Sequence, residues 1–307
     1  MGLFNKGERA ERSTAKSGAL SKRGASALAP RTFSMTVGAL EEALLKEFPA
    51  EDAESWDRTG LTVGERALPV TKVAVALDPT VKAIGEAAAA GANVLVTHHP
   101  AFLAAPDGFA PEASVALSPG AGVWAAIRHQ VALMDFHTAL DVSPQAARVL
   151  PGMLGLRFTG RFAEPLAGSR RKGYGQISDV PANDDAPETL ARLAARCTAV
   201  FGRSPRVWGA PDKPVKTAVT ATGSAGPTGK AALAAGADVL ICGEIKYHDA
   251  LDLSQAGLAI IELGHDASEL PLTAVLAEAL CKAGVPESAV VMIDQSDNWW
   301  HPEAVRV

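Results

Sequence analysis

From Ser34 onward the chain alternates two hydrophobic periods. "TVGALEEALLKEF" places Val37, Leu40, Leu44 and Phe48 on one helix face, and Pro49 closes the helix. "VTKVAVALD" is rich in β-branched residues and reads as a strand ending at Asp78. "PTVKAIGEAAAAG" returns to helical spacing and stops at Gly91. "NVLVT" predicts the next strand, Val123 to His129 a helix, and "VALMDF" another strand. Strand and helix alternating in this way predict an α/β fold with mixed, largely parallel sheets.

The second half repeats the first. "VAVALDPTVKAIGEAAAAGANVLVTHH" aligns with "TAVTATGSAGPTGKAALAAGADVLICGE" with one residue of slip, so that His98 and His99 fall opposite Gly243 and Glu244. Alanine-rich helices resemble one another by chance, so the shared "AAGA-VL" junction carries more weight. The expected organisation is a basic tail at 1–33, a first α/β half at 34–155, a middle segment at 156–214 and a second half at 215–307. In the middle segment "SRRKGYGQI" suggests a strand pair and "APETLARLAARCTAVFG" a helix.

Charge separates the tail from the body. The first 31 residues hold Lys6, Arg9, Arg12, Lys16, Lys22, Arg23 and Arg31 against Glu8 and Glu11, with few large apolar residues, the composition of a solvated extension. The remainder carries 22 basic and 32 acidic residues, a balance that repels phosphate backbones and argues against nucleic acid as a partner. Cys197, Cys242 and Cys281 form no CxxC pair, which argues against a disulfide framework or thiolate site and for a cytoplasmic location. No apolar run reaches a membrane span, and the basic N-terminus lacks the apolar stretch of a secretory signal.

Candidate chemistry gathers at strand ends. Five of the seven histidines lie in four motifs that each follow a predicted strand: "VTHHP", "FHTALD", "CGEIKYH" and "LGHDASE". Loops beyond the carboxyl ends of parallel strands converge on one crevice, so these motifs are expected to meet. His98, His99, Asp141, His265 and Glu269 offer imidazole and carboxylate ligands. His265 and Glu269, four apart, share a helix face. Two adjacent histidines suit two neighbouring ions, and nitrogen and oxygen donors without thiolate suit Zn, Fe, Mn or Ni. His129 and His301 have no motif around them and read as surface residues. Asp57 is either a turn cap near Gly60 or a substrate contact, Asp78 is expected to cap the following helix, and "GSAGPTGK" reads as a turn before a helix. Of Trp299 and Trp300, one is expected to pack and the other to sit at a subunit contact.

"WDRTGLTVG" (Trp56 to Gly64), "LVTHHP", "HTALD" and "GHDASE" resemble, in order and spacing, the signatures of the GTP cyclohydrolase 1 type 2 homologue family, the NIF-three-like dinuclear metal-centre proteins. The resemblance runs from about Ser34 to the C-terminus. It implies two intertwined α/β repeats, a ring-shaped homo-hexamer and two divalent cations per chain. His98, His99, Asp141 and His265 would be ligands, and Glu269 would bridge both ions. His137, Glu244 and His248 would line the pocket. Where that family often has Asn, this chain has Arg58 and Ala139, and Arg58 is the change expected to alter pocket charge.

Two functions follow. The first is a dinuclear metal-dependent hydrolase of a small molecule, with His137 or His248 moving the proton; the resemblance narrows this to a purine nucleotide or a related cyclic amide or phosphoester. The alternative is a non-catalytic metal-binding ring, a scaffold or regulator, whose sites would be closed. A nucleic-acid-associated regulator rests on the tail alone.

Overall fold

Period-two alternation decides which helix layer each strand residue meets. The computed structural model describes residues 34–111, 113–182 and 187–299, without the side chains of 112–118. The basic tail, His301 and Trp300 lie outside the described residues. The first elements are α1 (Val37–Glu47), β1 (Thr59–Val63), β2 (Val73–Ala76), α2 (Val81–Ala89), β3 (Val94–Thr97), α3 (Ala113–His129), β4 (Ala132–Phe136), α4 (Thr138–Asp141) and α5 (Val149–Met153). Then come β5 (Arg157–Pro165), β6 (Gly173–Asp179), α6 (Leu190–Phe201), β7 (Arg206–Trp208), β8 (Thr217–Ser224) and α7 (Thr228–Ala234). The chain continues with β9 (Val239–Glu244), α8 (Tyr247–Gln255), β10 (Ala259–Glu262), α9 (His265–Glu269), α10 (Leu272–Lys282) and β11 (Val290–Met292).

Two mixed sheets result, with strand orders β1-β4-β3-β2-β11 and β5-β6-β8-β9-β10-β7. Parallel pairing fills the centres, while β1, β5, β6 and β7 add antiparallel pairs. In the first sheet Val73, Val75, Val94, Val96 and Met134 face α1 and α10. Ala74, Ala76, Leu95 and Leu133 face the opposite layer, built on α2 and α3. In the second sheet Val239, Ile241, Ala259 and Ile261 meet α6, and Leu240, Cys242 and Ile260 meet α7 and α8. Both faces of each parallel core are covered, which is why these strands read as continuous apolar runs.

The two stretches aligned in sequence build the same strand–helix–strand unit with the same register. Val73 pairs with Val94 across β2 and β3, and Ala218 with Val239 across β8 and β9, each pair 21 positions apart. The linear halves are not the spatial ones. The stretch expected as a single second half, 215–307, is shared between the sheets. Its α10 packs Leu272, Leu276 and Leu280 into the first core, and its β11 pairs with β2. The middle segment contributes β5, β6 and α6 to the second sheet. "SRRKGYGQI" is a turn and one strand, because the partner strand precedes it: β5 pairs Glu164 with Tyr174 of β6. The helix expected over Val123 to His129 begins at Ala113, with Pro119 and Gly120 masking its early turns in the sequence. His129 is exposed at its end.

Because α10 seals the first sheet from the far end of the chain, Leu276→Ala leaves a cavity in that core. It is expected to cost about 2–5 kcal/mol, measured by urea denaturation.

Candidate metal centre

Strands of both sheets deliver side chains to one place. β3 runs into His98 and His99, and β4 into His137 and then α4, which ends at Asp141. β10 passes through Leu263 and Gly264 into α9, which begins at His265 and ends at Glu269. Ser268 locks this turn: its hydroxyl donates to the His265 carbonyl (2.8 Å) and accepts from the Gly223 amide (2.9 Å). Gly223, at φ +57°, lies so close to Glu269 that a Cβ there would collide with the carboxylate.

The five expected ligands are brought together. Glu269 Oε2 lies 3.0 Å from His99 Nε2, 3.0 Å from His265 Nε2 and 3.9 Å from His98 Nδ1. His98 Nε2 is 3.1 Å from Asp141 Oδ1, and the Nε2 atoms of His99 and His265 are 3.4 Å apart. Three sets have ligand atoms within 4.8 Å of one another: His99, His265 and Glu269; His98, Asp141 and Glu269; and His98, His99 and His137. His137, expected as a neighbour of the ligands, thus also stands within ligand reach.

Satisfaction of buried atoms tests whether cations fit here. His98 is fully buried and Glu269 is 3% exposed. His98 Nδ1 makes no hydrogen bond among the described residues, and Glu269 Oε2 faces the imidazole nitrogens of His99 and His265 at 3.0 Å. Leaving a buried atom such as His98 Nδ1 unpaired costs about 1–3 kcal/mol. A cation facing that lone pair removes the cost, and the donor set is that of Zn, Fe, Mn or Ni. The residues fit a metal centre.

A second ring of carboxylates orients the imidazoles. Asp78 Oδ1 is 2.7 Å from His99 Nδ1, Asp57 Oδ1 is 3.0 Å from His137 Nδ1, and Glu244 Oε1 is 3.1 Å from His265 Nδ1. Each pair engages Nδ1 and leaves Nε2 for the centre. Asp78 therefore does not cap α2; Thr80 does, accepting from the Ala83 amide, and Asp78 is free to meet His99. Asp57 keeps one local bond, accepting from the Arg58 amide (2.8 Å), and turns the rest of its carboxylate to distant partners. It accepts from His137, from the Thr138 amide (3.0 Å) and from the Thr138 hydroxyl. The sequence signal for both roles was only a strand-end or loop aspartate, which does not say which distant histidine it meets. Thr222, also not foreseen, donates to Asp141 at 3.1 Å.

Charge in the metal-free cluster follows from this packing. Burial opposes charge on His99, but the adjacent Asp78 and Glu269 carboxylates outweigh it and push its pKa up to about 10. Glu269 beside His265 pushes that imidazole up to about 9 against the effect of burial. Burial alone would raise Glu269, yet His98, His265 and His99 hold it well below the usual carboxylate range. Burial likewise opposes ionisation of Asp57, and the bonds from His137 and Thr138 overcome it, lowering its pKa to about 2.

His248 is not brought to the cluster. α8 buries Ala250 and Leu253, which turns His248 outward; it is exposed, with its ring edge against Tyr247 at 5.2 Å. Glu244 does reach the centre, through His265. Arg58 is not itself in the cluster: its Nε donates to the Leu103 carbonyl (3.1 Å) and its guanidinium lies 5.1 Å over the Phe102 ring. Ala139 is buried in the first core. "GSAGPTGK" forms the end of β8, a turn and the start of α7. Trp299 stacks under Arg203 at 4.3 Å and donates to Asp266.

Fold and site define an α/β protein of two mixed sheets with a histidine–carboxylate cluster fitted to hold metal at their junction. The chain belongs to the Duf34/NIF3 (NGG1p interacting factor 3) family, whose model matches residues 35–298. A GTP cyclohydrolase 1 type 2 homolog of Streptomyces coelicolor is 32% identical over 229 residues, 73% of this chain and 78% of that one. A Clostridium acetobutylicum protein of the same description is 26% identical over 261 residues, 83% and 94% of the two chains. Among solved structures, Staphylococcus aureus hypothetical protein SA1388 superposes with a TM-score of 0.75 at 24% identity, covering 88% of this chain and 100% of that one. Reduced HcgD from Methanocaldococcus jannaschii gives 0.68 at 20% identity, covering 86% and 99%. These two structures share the fold.

Two outcomes follow from the geometry. Asp78→Ala frees His99 to rotate and is expected to weaken metal affinity about 10–100-fold without unfolding the chain, read by competition with a chelator. His99 and His265, raised above the ordinary histidine pKa, are protonated at pH 7 without metal. Their contribution to metal-free stability is complete below about 6.5 and is lost as pH rises through about 9 and 10. Metal binding must displace these protons, so affinity is expected to rise from pH 7 towards that range. Calorimetry in buffers of different ionisation enthalpy is expected to show proton release at pH 7.

Proposed function

We propose that this protein is a dinuclear metal-dependent hydrolase of a small molecule, acting on a purine nucleotide or a related cyclic amide or phosphoester. One observation carries the reading: the cluster opens onto a cavity of about 500 Å³, which His137, Asp141, His265 and Glu269 help to line. A ligand cluster facing a roomy cavity has positions left for water and substrate, whereas a structural site is closed on all sides. The names of the curated relatives support the cyclohydrolase version.

His98, His99, Asp141, His265 and Glu269 would hold two divalent cations in this reading, Glu269 being within ligand reach in both candidate sets that contain it. When bound, such ions supply a water of lowered pKa and positive charge towards a substrate oxygen. His137 is the proton carrier in this reading. Asp57 fixes its Nδ1, so Nε2 is the atom that takes or gives a proton on the cavity side. Trp56, edge-on to His137 at 5.9 Å, covers that ring at the cavity mouth. The resemblance also supports a homo-hexamer, which sedimentation velocity checks. No helix among the described residues is long and apolar enough to cross a membrane.

Reconstituted protein is expected to hold close to two ions per chain by elemental analysis; saturation at one rejects the dinuclear centre. Glu269→Gln is expected to lose metal and turnover together. His137→Ala is expected to keep its metal and lose about 10²–10⁴-fold in hydrolysis, assayed against nucleotides and cyclic amides. Metal loss by His137→Ala instead makes it a ligand, as its place beside His98 and His99 allows. His248→Ala is expected to leave turnover unchanged. If no compound in the panel is hydrolysed by fully loaded protein, the scaffold reading replaces this one.

A further inference from the structure

We propose that the cavity beside the cluster selects a flat, uncharged or cationic, amino-bearing molecule, seated with an oxygen end towards the metal ligands, and that it discriminates against anionic substrates. The proposal rests on the hydrolase reading and narrows its substrate class to the cyclic amides, away from the nucleotide and the phosphoester.

The lining itself sets this preference. Besides Asp141 and Glu269, the cavity wall carries two further carboxylates, Glu54 and Glu164, and none of the described lining residues is Lys or Arg. Neither Glu54 nor Glu164 belongs to a candidate ligand set or forms an ion pair among the described residues. Glu164 Oε1 accepts from the Thr228 hydroxyl at 2.5 Å, and its other oxygen has no hydrogen bond among the described residues. A carboxylate held in this way, on a wall without cations, is a ready acceptor for N–H donors and repels a negative group.

The charges divide by position. Two divalent ions would neutralise Asp141 and Glu269, the two carboxylates assigned to hold them, so the floor of the loaded cavity would offer an oxygen donor a cation to meet. The wall with Glu54 and Glu164 stays negative. A molecule with a carbonyl or hydroxyl oxygen at one end and amino donors at the other matches both. A polyphosphate or polycarboxylate matches the floor and opposes the wall.

Shape points the same way. Trp56, 56% exposed at the mouth, and Tyr174 of β6 are the aromatic walls, with Leu103, Ala225 and Pro227 adding apolar surface. Aromatic walls take planar rings. The phenol of Tyr174 remains protonated at neutral pH and offers a donor. The loop carrying Trp56 is fastened to α4, where the Glu54 amide donates to the Thr138 hydroxyl at 3.0 Å. The aromatic wall and the oriented His137 therefore share one support.

Three aryl hydroxamates of one skeleton test the proposal, since a hydroxamate chelates divalent ions and anchors the ring at the floor. Benzohydroxamate, its 4-aminomethyl derivative and its 4-carboxy derivative are titrated calorimetrically into zinc-reconstituted protein of verified metal content. The aminomethyl compound is expected to bind most tightly and the carboxy compound most weakly, with roughly tenfold or more between them. Glu164→Gln and Glu54→Gln, combined, are expected to compress that ratio towards one. Trp56→Ala is expected to weaken all three alike. A reversed ranking, or a ranking unmoved by the double substitution, overturns the charge selection and leaves the hydrolase reading standing. Failure of all three to bind protein that holds its ions overturns both, because the ions then have no open face on the cavity.

Discussion

The burial of one carboxylate, Glu269, organises this molecule. A lone charge so far from water is prohibitively costly, so polar or positive partners must surround it. The imidazoles that do so come from both sheets: His98 and His99 from the end of β3, and His265 from the start of its own short helix. Meeting that requirement brings the carboxyl ends of two separately built sheets against one another. The backbone yields to the same demand. Gly223 has no side chain where the carboxylate lies, and Ser268 ties the turn beneath it.

Around that centre the chemistry is layered. The inner atoms are carboxylate oxygens, Nε2 of His99, His137 and His265, and Nδ1 of His98. The outer atoms are Asp78, Asp57 and Glu244, each fixing a ring through Nδ1. The outer layer sets tautomer and direction, so the inner layer is organised before any ion arrives. The negative charge collected for that purpose also loads the metal-free cluster with protons, which makes metal binding and proton release two sides of one equilibrium.

The two parallel strand pairs share a 21-residue register, and by that register His98 corresponds to Gly243 and His99 to Glu244. One copy ends its strand with two imidazoles. The other ends with a residue too close to Gly223 and Ser268 to tolerate a side chain, then with the carboxylate that orients His265. The same strand end thus provides ligands on one side and their support on the other. The return of α10 and β11 to the first sheet ties the copies into one compact unit.

Much of this was written in local pattern. Apolar spacing located the parallel strands and most helices, because a buried strand or amphipathic helix must show its period wherever it packs. The histidine motifs stood at strand ends, and the general geometry of parallel sheets was enough to gather His98, His99, Asp141, His265 and Glu269. Pairings between distant side chains were not readable in this way. That Asp78 meets His99 rather than capping α2, that Asp57 holds His137, and that Arg58 turns towards Phe102 depend on which loops lie side by side. The placement of α10 and β11 on the first sheet is of the same kind, since an apolar helix face does not name the sheet it covers. His248 shows the limit most plainly: its motif resembled the others, but the face that α8 buries turned it to solvent. Local sequence fixed the elements and the ligand types through short-range period and chemistry; tertiary packing alone decided the partners, because those contacts span tens to hundreds of residues.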